Sequence, residues 1–415
     1  MPRLGVRHTA KASPHIERHS CRIAAAPFLD GVVVHDVPTG KLFQLNHTAT
    51  RVWRSLRAGK LKEAIVNDLA GIHEADPAAV RRDFEAFVDA LHEAGLFGPR
   101  NALDRQDATE PRPPRGAPAL DAPYRVGEVT VRVICYPADV AAGFAPLAAP
   151  ARHSDDAVVE ARLALFDEHG TFVLTRDGTF LEQLDTAPAA RWALVRQLVS
   201  TARRGRNLAL LHAGAVLTPA GCMLICGESG AGKSTLLAGL VHAGFPFVAD
   251  DIAPLEGGTG LVWPVRLAVS VKQRSWPVIR PLFPELAGAP IVRFGGRTMR
   301  YLWPDSPALA IGGRGYPVAA VLFPRYAKGT PATLSRLETV RSLALLGEGG
   351  SVLPATDGGL AEFLAWWSRL PAYWLSYGRL DDAIREVSNL TDTLREGSEY
   401  GADVALAPGA FMAKA

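Results

Sequence analysis

The most informative stretch of this sequence is Gly227-Glu228-Ser229-Gly230-Ala231-Gly232-Lys233-Ser234-Thr235. It fits the pattern G-x-x-x-x-G-K-[ST], in which backbone N–H groups surround the phosphates of a nucleoside triphosphate. A short apolar run over residues 221–226 precedes it, as a buried strand does, and apolar residues at helical spacing follow it over 236–241. Because strand, glycine-rich loop and helix stand in the required order, we expect all nine residues to bind nucleotide.

The residue types in this loop suit phosphate chemistry. Glycines let the backbone curl closely around an anion, and the free N–H groups of the following helix attract it. Lys233 is expected to reach the β- and γ-phosphates, and the hydroxyl of Ser234 is expected to ligate Mg²⁺. The sequence therefore predicts a nucleoside triphosphate and Mg²⁺ as ligands.

Two adjacent carboxylates, Asp250 and Asp251, follow the next short apolar run, residues 245–249. At the carboxyl edge of an α/β sheet they would face the phosphates. Neighbouring residues of a strand point to opposite sides, so we expect the two carboxylates to have different roles. One would hold Mg²⁺, and the other would accept a proton from an attacking hydroxyl.

An imidazole is expected beside the same loop. Residues 208–217 are predicted to form one strand that returns through a turn at 218–221. A four-residue hairpin loop places Leu217 opposite Cys222, and counting back places His212 opposite Gly227, with a slip of one residue left open. His212 is therefore a candidate catalytic residue.

In order and spacing, His212, the loop at 227–235 and the pair Asp250-Asp251 resemble the HPr kinase/phosphorylase family and its diverged kinase relatives. The resemblance is strongest over residues 207–255. It implies an α/β P-loop kinase domain of the phosphoenolpyruvate-carboxykinase-like type, which transfers phosphate from ATP, with Mg²⁺, to a serine of a protein substrate.

The resemblance also implies roles for the site residues. His212 would tune or orient the catalytic aspartate, and Lys233 would act on the phosphates. We favour Asp250 as the base and Asp251, with Ser234, as the metal partner. Two departures from the family stand out: a different domain replaces the N-terminal domain of the regulated enzymes, and Arg314-Gly315 is a candidate for the family's later Arg-Gly signature without a firm match. They leave phosphorylase activity open and make the HPr protein an unexpected substrate.

The N-terminal region has a different pattern. Residues 31–36 and 41–45 are predicted to form a hairpin, Asn46 is predicted to cap a helix, and two further helices follow, the second beginning at Asp76-Pro77. The residues that carry a resemblance to the PqqD family are Leu45-Asn46-His47-Thr48-Ala49, Val52-Trp53, Gly59, Leu69, Asp83-Phe84, Leu91 and Gly95-Leu96.

That family comprises small winged-helix-like domains that bind the leader segments of ribosomally made precursor peptides. The resemblance implies that a leader would add a strand to the edge of the hairpin, and an unpaired edge along 31–36 or 41–45 would support this. The alternative is a structural appendage whose apolar residues only fill its own core.

Composition limits the other function classes. The net charge of +3 does not argue for nucleic acid or an anionic membrane as partner. No apolar run approaches the roughly 18 residues of a membrane span, and the N-terminus has no secretory signal. Four cysteines in 415 residues do not form a disulfide framework. A cytoplasmic protein is expected, and a homo-oligomer is left open.

Five segments are predicted: a disordered lead (1–24), a PqqD-like domain (25–98), a Pro-rich linker (99–123), an HPr kinase-like domain (124–396) and a loose tail (397–415). The leading interpretation is an ATP- and Mg²⁺-dependent kinase that phosphorylates a hydroxyl, that of a serine by preference, of a precursor peptide captured by the first domain. The alternatives are a nucleotide-binding chaperone that presents the peptide to another enzyme, and a small-molecule kinase.

Overall fold

The computed structural model describes residues 6–8, 23–94, 96, 112–127, 129–303 and 314–396. The chain divides into two compact units, each of which combines helices and sheets. Described residues up to Leu96, together with Leu353–Ser368, make up the first unit, and the other described residues make up the second. The predicted tail after residue 396 and positions 99–111 of the predicted linker lie outside the described residues.

The first unit begins with the elements β1 (Val6–His8), β2 (Ile23–Phe28), β3 (Gly31–Asp36), β4 (Lys41–Leu45), α1 (His47–Arg57), α2 (Lys62–His73) and α3 (Pro77–Glu93). The strands form a sheet in the order β1-β4-β3-β2. The predicted hairpin and three helices are confirmed. Asn46 caps α1 by accepting a hydrogen bond from the N–H of Ala49, and Asp76 caps α3 in the same way.

The core of this unit joins the helices to the sheet. Phe43 of β4 is buried with Trp53 of α1 and with Phe84 and Phe87 of α3. These side chains recur at helical spacing in α1 and α3, so each helix has one apolar face to bury. Burial of such faces is the main force that holds these short helices in place.

The predicted disordered lead is wrong at both of its described parts. Residues Val6–His8 form β1, which pairs antiparallel with β4, and Ile23 and Ala24 already belong to β2. Sequence reasoning missed β2 because its alanines have low strand propensity. In the fold, Ala24, Ala26 and Phe28 alternate inward along β2, as a half-buried strand requires.

The second unit and the returning segment contain β5 (Leu120–Tyr124), β6 (Val131–Cys135), α4 (Ala138–Ala148), β7 (Ala161–Glu168), β8 (Thr171–Arg176), β9 (Thr179–Leu184), α5 (Ala187–Ala202), β10 (Asn207–Leu211), β11 (Gly214–Thr218), β12 (Gly221–Ile225), α6 (Lys233–His242), β13 (Phe247–Ala249), β14 (Ala253–Glu256), β15 (Leu261–Val262) and β16 (Val269–Lys272). They continue with α7 (Trp276–Ile279), β17 (Val292–Phe294), β18 (Arg297–Leu302), β19 (Tyr316–Tyr326), β20 (Thr333–Leu337), α8 (Thr339–Glu348), α9 (Asp357–Trp367), β21 (Ala372–Tyr377) and α10 (Leu380–Glu396).

One sheet of the second unit positions the glycine-rich loop. Its order is β10-β14-β15-β19-β12-β11-β13, with β21 beside β19 and β20 beside β21. The strands β12, β19 and β21 run parallel, so their carboxyl ends meet at one edge of the sheet. The loop at 227–235 follows β12 at that edge. Two further sheets have the orders β5-β6-β7-β8-β9 and β16-β18-β17.

Two sequence-based boundaries need correction in this unit. The end of the predicted linker is strand β5, which pairs with β6 and places Pro123 in an edge strand, where its missing N–H costs no ladder bond. The sequence also predicts a helix over residues 335–347, but the helix begins only at Thr339, because residues 333–337 pair with β21 as β20.

The segment 353–368 belongs to the first unit although its neighbours in sequence belong to the second. Its helix α9 lies along β2, and the N–H of Ala25 donates to Oδ1 of Asp357 at 2.8 Å. The ring Nδ1 of His35 lies 3.0 Å from the carbonyl oxygen of Pro354. The predicted division into segments 25–98 and 124–396 is therefore incomplete, because the first unit is closed by a distant segment.

Among the described helices, none combines the length and apolar character that a membrane span requires.

Candidate functional site

The loop after β12 is shaped by three glycines with left-handed backbone angles. The φ angles are 132° at Gly227, 102° at Gly230 and 103° at Gly232, a region that other residues rarely adopt. Gly232 is also the residue from which α6 begins, and a Cβ there would lie 2.7 Å from the hydroxyl oxygen of Tyr377. The glycines are thus required both by backbone angle and by close packing.

The amine of Lys233 is held against the loop. Its Nζ donates to the carbonyl oxygens of Gly227 at 2.7 Å and of Glu228 at 3.1 Å. The side chain is buried, and burial lowers the pKa of its ammonium group, while the two neighbouring aspartates oppose that shift. The lysine therefore lies folded inside the turn where an anion would bind.

The hairpin that leads into the loop has the predicted register. Leu217 pairs with Cys222, and the ladder of β11 with β12 ends at Gly214 and Ile225. His212 lies just beyond that ladder, in the short connection between β10 and β11, so the expected single strand over 208–217 is wrong. The break arises because β10 pairs with β14, whereas β11 pairs with β12 and β13.

His212 nevertheless lies in the site. Its backbone N–H donates to the hydroxyl of Ser351 at 2.9 Å, and its ring packs edge-on against Trp192 with centroids 5.7 Å apart. Burial and the charge of Lys233 lower the pKa of the imidazole to about 4. The ring of His212 is thus neutral at physiological pH and packs against Trp192, while Ser351 binds the backbone of the residue.

Asp250 is completely buried and both of its oxygens are bonded. Oδ1 accepts from the hydroxyl of Ser234 at 3.2 Å, and Oδ2 accepts from the N–H of Ser270 at 3.1 Å. Burial, with the neighbouring charge of Asp251, raises the pKa of Asp250 to about 7. This carboxylate is directed at the loop helix through Ser234.

Asp251 has a different environment. Its backbone has φ 61°, a left-handed conformation that costs an aspartate of order 1 kcal/mol. Oδ2 accepts from the hydroxyl of Ser270 at 3.3 Å, and the residue is partly exposed. Burial pushes the pKa of Asp251 upward, but nearby groups, His212 and Lys233 foremost, lower it overall.

These contacts favour the opposite assignment of roles from the one expected by resemblance. Ser234 is the expected metal ligand, and the carboxylate that contacts it belongs to Asp250, not to Asp251. A base must also reach a substrate hydroxyl, and Asp251 is the more exposed of the two carboxylates.

Four basic residues of the second unit, Lys272, Arg300, Arg314 and Arg325, could act on a transferred phosphoryl group, and their positions differ. Nζ of Lys272 lies 3.0 Å from Oγ of Ser229, a loop residue. Arg300 instead donates to backbone carbonyls at residues 286 and 287 and packs over Trp276, which is a structural role. Arg325 lies near the carboxyl end of β19, at the edge that carries the loop, whereas Arg314-Gly315 precedes β19 at the opposite edge. The fold thus separates that dipeptide from the glycine-rich loop.

The residues present fit a triphosphate with Mg²⁺. The loop is largely exposed, and its glycines with left-handed angles carry no side chains that would cover the backbone N–H groups, which suits phosphate binding. The hydroxyl of Ser234 and the carboxylate of Asp250 offer only oxygen atoms, which are the ligands that Mg²⁺ prefers. Within the described ranges, His, Cys, Asp and Glu form no cluster of three that could hold a metal.

Sequence reasoning missed Ser270, which bonds both aspartates, and Tyr377, which packs on Gly232. Ser270 lies in β16 of a separate sheet, and Tyr377 ends β21. No local pattern marks either residue, because each reaches the site through pairing over a long sequence distance.

Comparison with known proteins concerns the N-terminal part of the chain. Residues 31–96 match the PqqD family, described as "Coenzyme PQQ synthesis protein D (PqqD)". A solved structure titled "TbiB1 in Complex with the TbiA(beta) Leader Peptide" is 30% identical, over 21% of this chain and 92% of that chain, with a TM-score of 0.17. The search of curated proteins found no match. The chain therefore contains a PqqD-like domain.

Proposed function

We propose that the chain is an ATP- and Mg²⁺-dependent kinase that phosphorylates a hydroxyl, that of a serine by preference, of a ribosomally made precursor peptide. Its PqqD-like domain would capture the peptide, and the site at the edge of the β12 sheet would transfer the phosphoryl group. The match of residues 31–96 to the PqqD family supports the peptide as partner.

One observation carries the kinase proposal: two adjacent carboxylates beside the glycine-rich loop differ in exposure, backbone conformation and contact with Ser234. Asp250 contacts the hydroxyl of Ser234, and Asp251 lies beside His212 in a left-handed conformation. A protein that only binds nucleotide needs no proton acceptor. A second carboxylate, partly exposed and held in a strained backbone conformation, suits a reaction in which a hydroxyl is deprotonated.

ATP with Mg²⁺ would supply the phosphoryl group and neutralise its charge. The loop N–H groups and Lys233 would bind the phosphate oxygens, and Ser234 with Asp250 would hold Mg²⁺. Asp251 accepts the proton of the substrate hydroxyl. As that oxygen bonds to the γ-phosphorus, the bond from the γ-phosphorus to the β–γ bridging oxygen breaks, and the products are phosphopeptide and ADP.

His212 and Lys272 would assist this step in two different ways. The neutral ring of His212 would position Asp251, with Trp192 packed against the ring and Ser351 accepting from the backbone N–H. Lys272, whose Nζ reaches Ser229 of the loop, is placed to stabilise negative charge on the transferred group.

The test is transfer of label from ATP that is radioactive at the γ-phosphate to a precursor peptide encoded beside this gene. The full chain and the isosteric variant Asp251→Asn are compared, and label is counted on peptide and on free phosphate. The proposal expects labelled peptide with the wild type only. Label on free phosphate alone, equal with and without peptide, would instead show a nucleotide-hydrolysing chaperone.

A further inference from the structure

The outer edge of β4 is already occupied by this chain. In the antiparallel ladder of β1 with β4, Val6 pairs with Leu45, Arg7 with Gln44 and His8 with Phe43. On its other side β4 pairs with β3 over its whole length. The unpaired edge that peptide addition would require along 41–45 is therefore filled by three residues of the chain's own N-terminus.

The opposite edge of the same sheet is closed in another way. There β2 pairs with β3 on one side, and α9 lies against β2, with Asp357 accepting from the N–H of Ala25. Helix α9 therefore covers this edge, and the carboxylate of Asp357 satisfies one N–H group of the strand. The edge covered by β1 is the weaker closure, since three residues offer few ladder bonds.

We propose that Val6–His8 is an intramolecular occupant of the strand edge of β4 that the precursor peptide must displace, so that the chain's N-terminus competes with its substrate. This inference rests on the proposed capture of an extended peptide by the PqqD-like domain. An incoming peptide would add to β4 by the same main-chain hydrogen bonds that β1 uses, so the two cannot be bound at once.

The strength of this competition follows from tethering. Residues 9–22 connect β1 to β2, so β1 is presented to β4 at an effective concentration on the order of millimolar. A segment of three residues binds weakly by itself, yet at that concentration it fills the edge for much of the time. If the edge is free in roughly one molecule in ten, a peptide binds with an apparent Kd about tenfold higher than its intrinsic Kd.

A labelled peptide of residues 1–12 of this chain tests the proposal without any knowledge of the precursor. It is titrated into the full chain, into Arg7→Pro/His8→Pro and into the control Arg7→Ala/His8→Ala. Successive N–H groups of a strand point to opposite sides, so two adjacent prolines remove one that faces β4, whereas alanines remove none. Unchanged thermal unfolding shows that the variants remain folded.

We expect the proline variant to bind the peptide at least about tenfold more tightly than the wild type and the alanine control. Equal binding to all three chains, or no binding to the proline variant, overturns the proposal. A disulfide lock gives a second readout: in a Cys21→Ser background, oxidised Arg7→Cys/Gln44→Cys excludes the peptide and the reduced form does not. Failure of this crosslink to form also counts against the pairing.

Phosphorylation kinetics separate this inference from the proposed function. If the wild type and the proline variant phosphorylate the precursor with the same KM, the competition is refuted and the kinase stands. If neither phosphorylates it, while the proline variant still binds the 1–12 peptide more tightly, the kinase is refuted and the self-occupied edge stands.

Discussion

The hydroxyl of Ser234 donates a hydrogen bond to Oδ1 of Asp250 at 3.2 Å. This contact joins the first turn of the loop helix to the carboxylate that follows the next strand. It places Asp250 on the side of the site where Mg²⁺ is expected and leaves Asp251 as the proposed base, since Asp251 bonds instead to the hydroxyl of Ser270.

Substitutions of the two aspartates should therefore have different effects on the kinetics. Asp251→Asn keeps the shape of the side chain but removes the proton acceptor, so kcat should fall by about a hundredfold to ten-thousandfold with little change in ATP affinity. Asp250→Asn weakens the metal side, so the Mg²⁺ concentration needed for half-maximal rate should rise by about tenfold or more. Steady-state rates at varied Mg²⁺ measure both kcat and the Mg²⁺ requirement. If Asp250→Asn instead lost kcat and Asp251→Asn instead needed more Mg²⁺, Asp250 would be the base.

Replacing Lys233 should weaken nucleotide binding. In Lys233→Met the ammonium group that donates to Gly227 and Glu228 is lost, together with its attraction for phosphate. Calorimetric titration with ATP and Mg²⁺ should show a Kd at least about tenfold higher, or about 1.4 kcal/mol. The matched control is Lys328→Met, an exposed lysine. Equal affinity in both variants would argue against a phosphate role for Lys233.

Packing of Tyr377 against Gly232 gives a coupled prediction. Gly232→Ala should cost about 1–2 kcal/mol from its left-handed angle alone, and more because its Cβ meets the hydroxyl of Tyr377. Among the described residues that hydroxyl has no hydrogen-bond partner, so Tyr377→Phe should change stability by less than about 1 kcal/mol.

The measurement is a double-mutant cycle by urea denaturation of the two single variants and the pair. Gly232→Ala should destabilise the chain less in the Tyr377→Phe background, where the clashing oxygen is absent. Strictly additive effects would show that the alanine does not press on that hydroxyl.

Stability should depend on pH through His35. Burial lowers the pKa of its ring, while the bond to Pro354 and the charge of Asp36 partly offset this. The folded ring stays neutral while the unfolded one binds a proton below about pH 6.5, so its stabilisation is full above that pH and falls as pH falls. The slope is at most about 1.4 kcal/mol per pH unit.

Thermal unfolding of the wild type and of His35→Gln between pH 5 and pH 7.5 checks this, because the other titrating groups cancel in the difference. The variant should lose less stability on acidification. Parallel curves for the two chains would show that His35 does not titrate differently in the folded state.

Local signals predicted local structure well. The glycine-rich loop, the register of Leu217 with Cys222 and the caps Asn46 and Asp76 each depend on residues within a few positions of one another. A hairpin loop fixes register, and a cap needs one side chain, so one stretch of sequence was enough.

What the sequence did not reveal depends on pairing over long distances. His212 does not lie in the expected strand, because β10 pairs with β14 instead of continuing into β11. Segment 353–368 belongs to the first unit, whose other residues lie hundreds of positions earlier in the sequence. Both Asp250 and Asp251 also bond to Ser270, which lies in another sheet. Hydrophobic periodicity carries no information about which distant strand or helix will cover a given face.

The intact mass of the precursor peptide after incubation with the full chain, ATP and Mg²⁺ tests the central claim most directly. We predict the gain of one phosphoryl group on a hydroxyl residue with the wild type, and no gain with Asp251→Asn although that variant still binds ATP and peptide. An unmodified peptide in the wild-type reaction, with both ligands shown to be bound, would contradict the kinase.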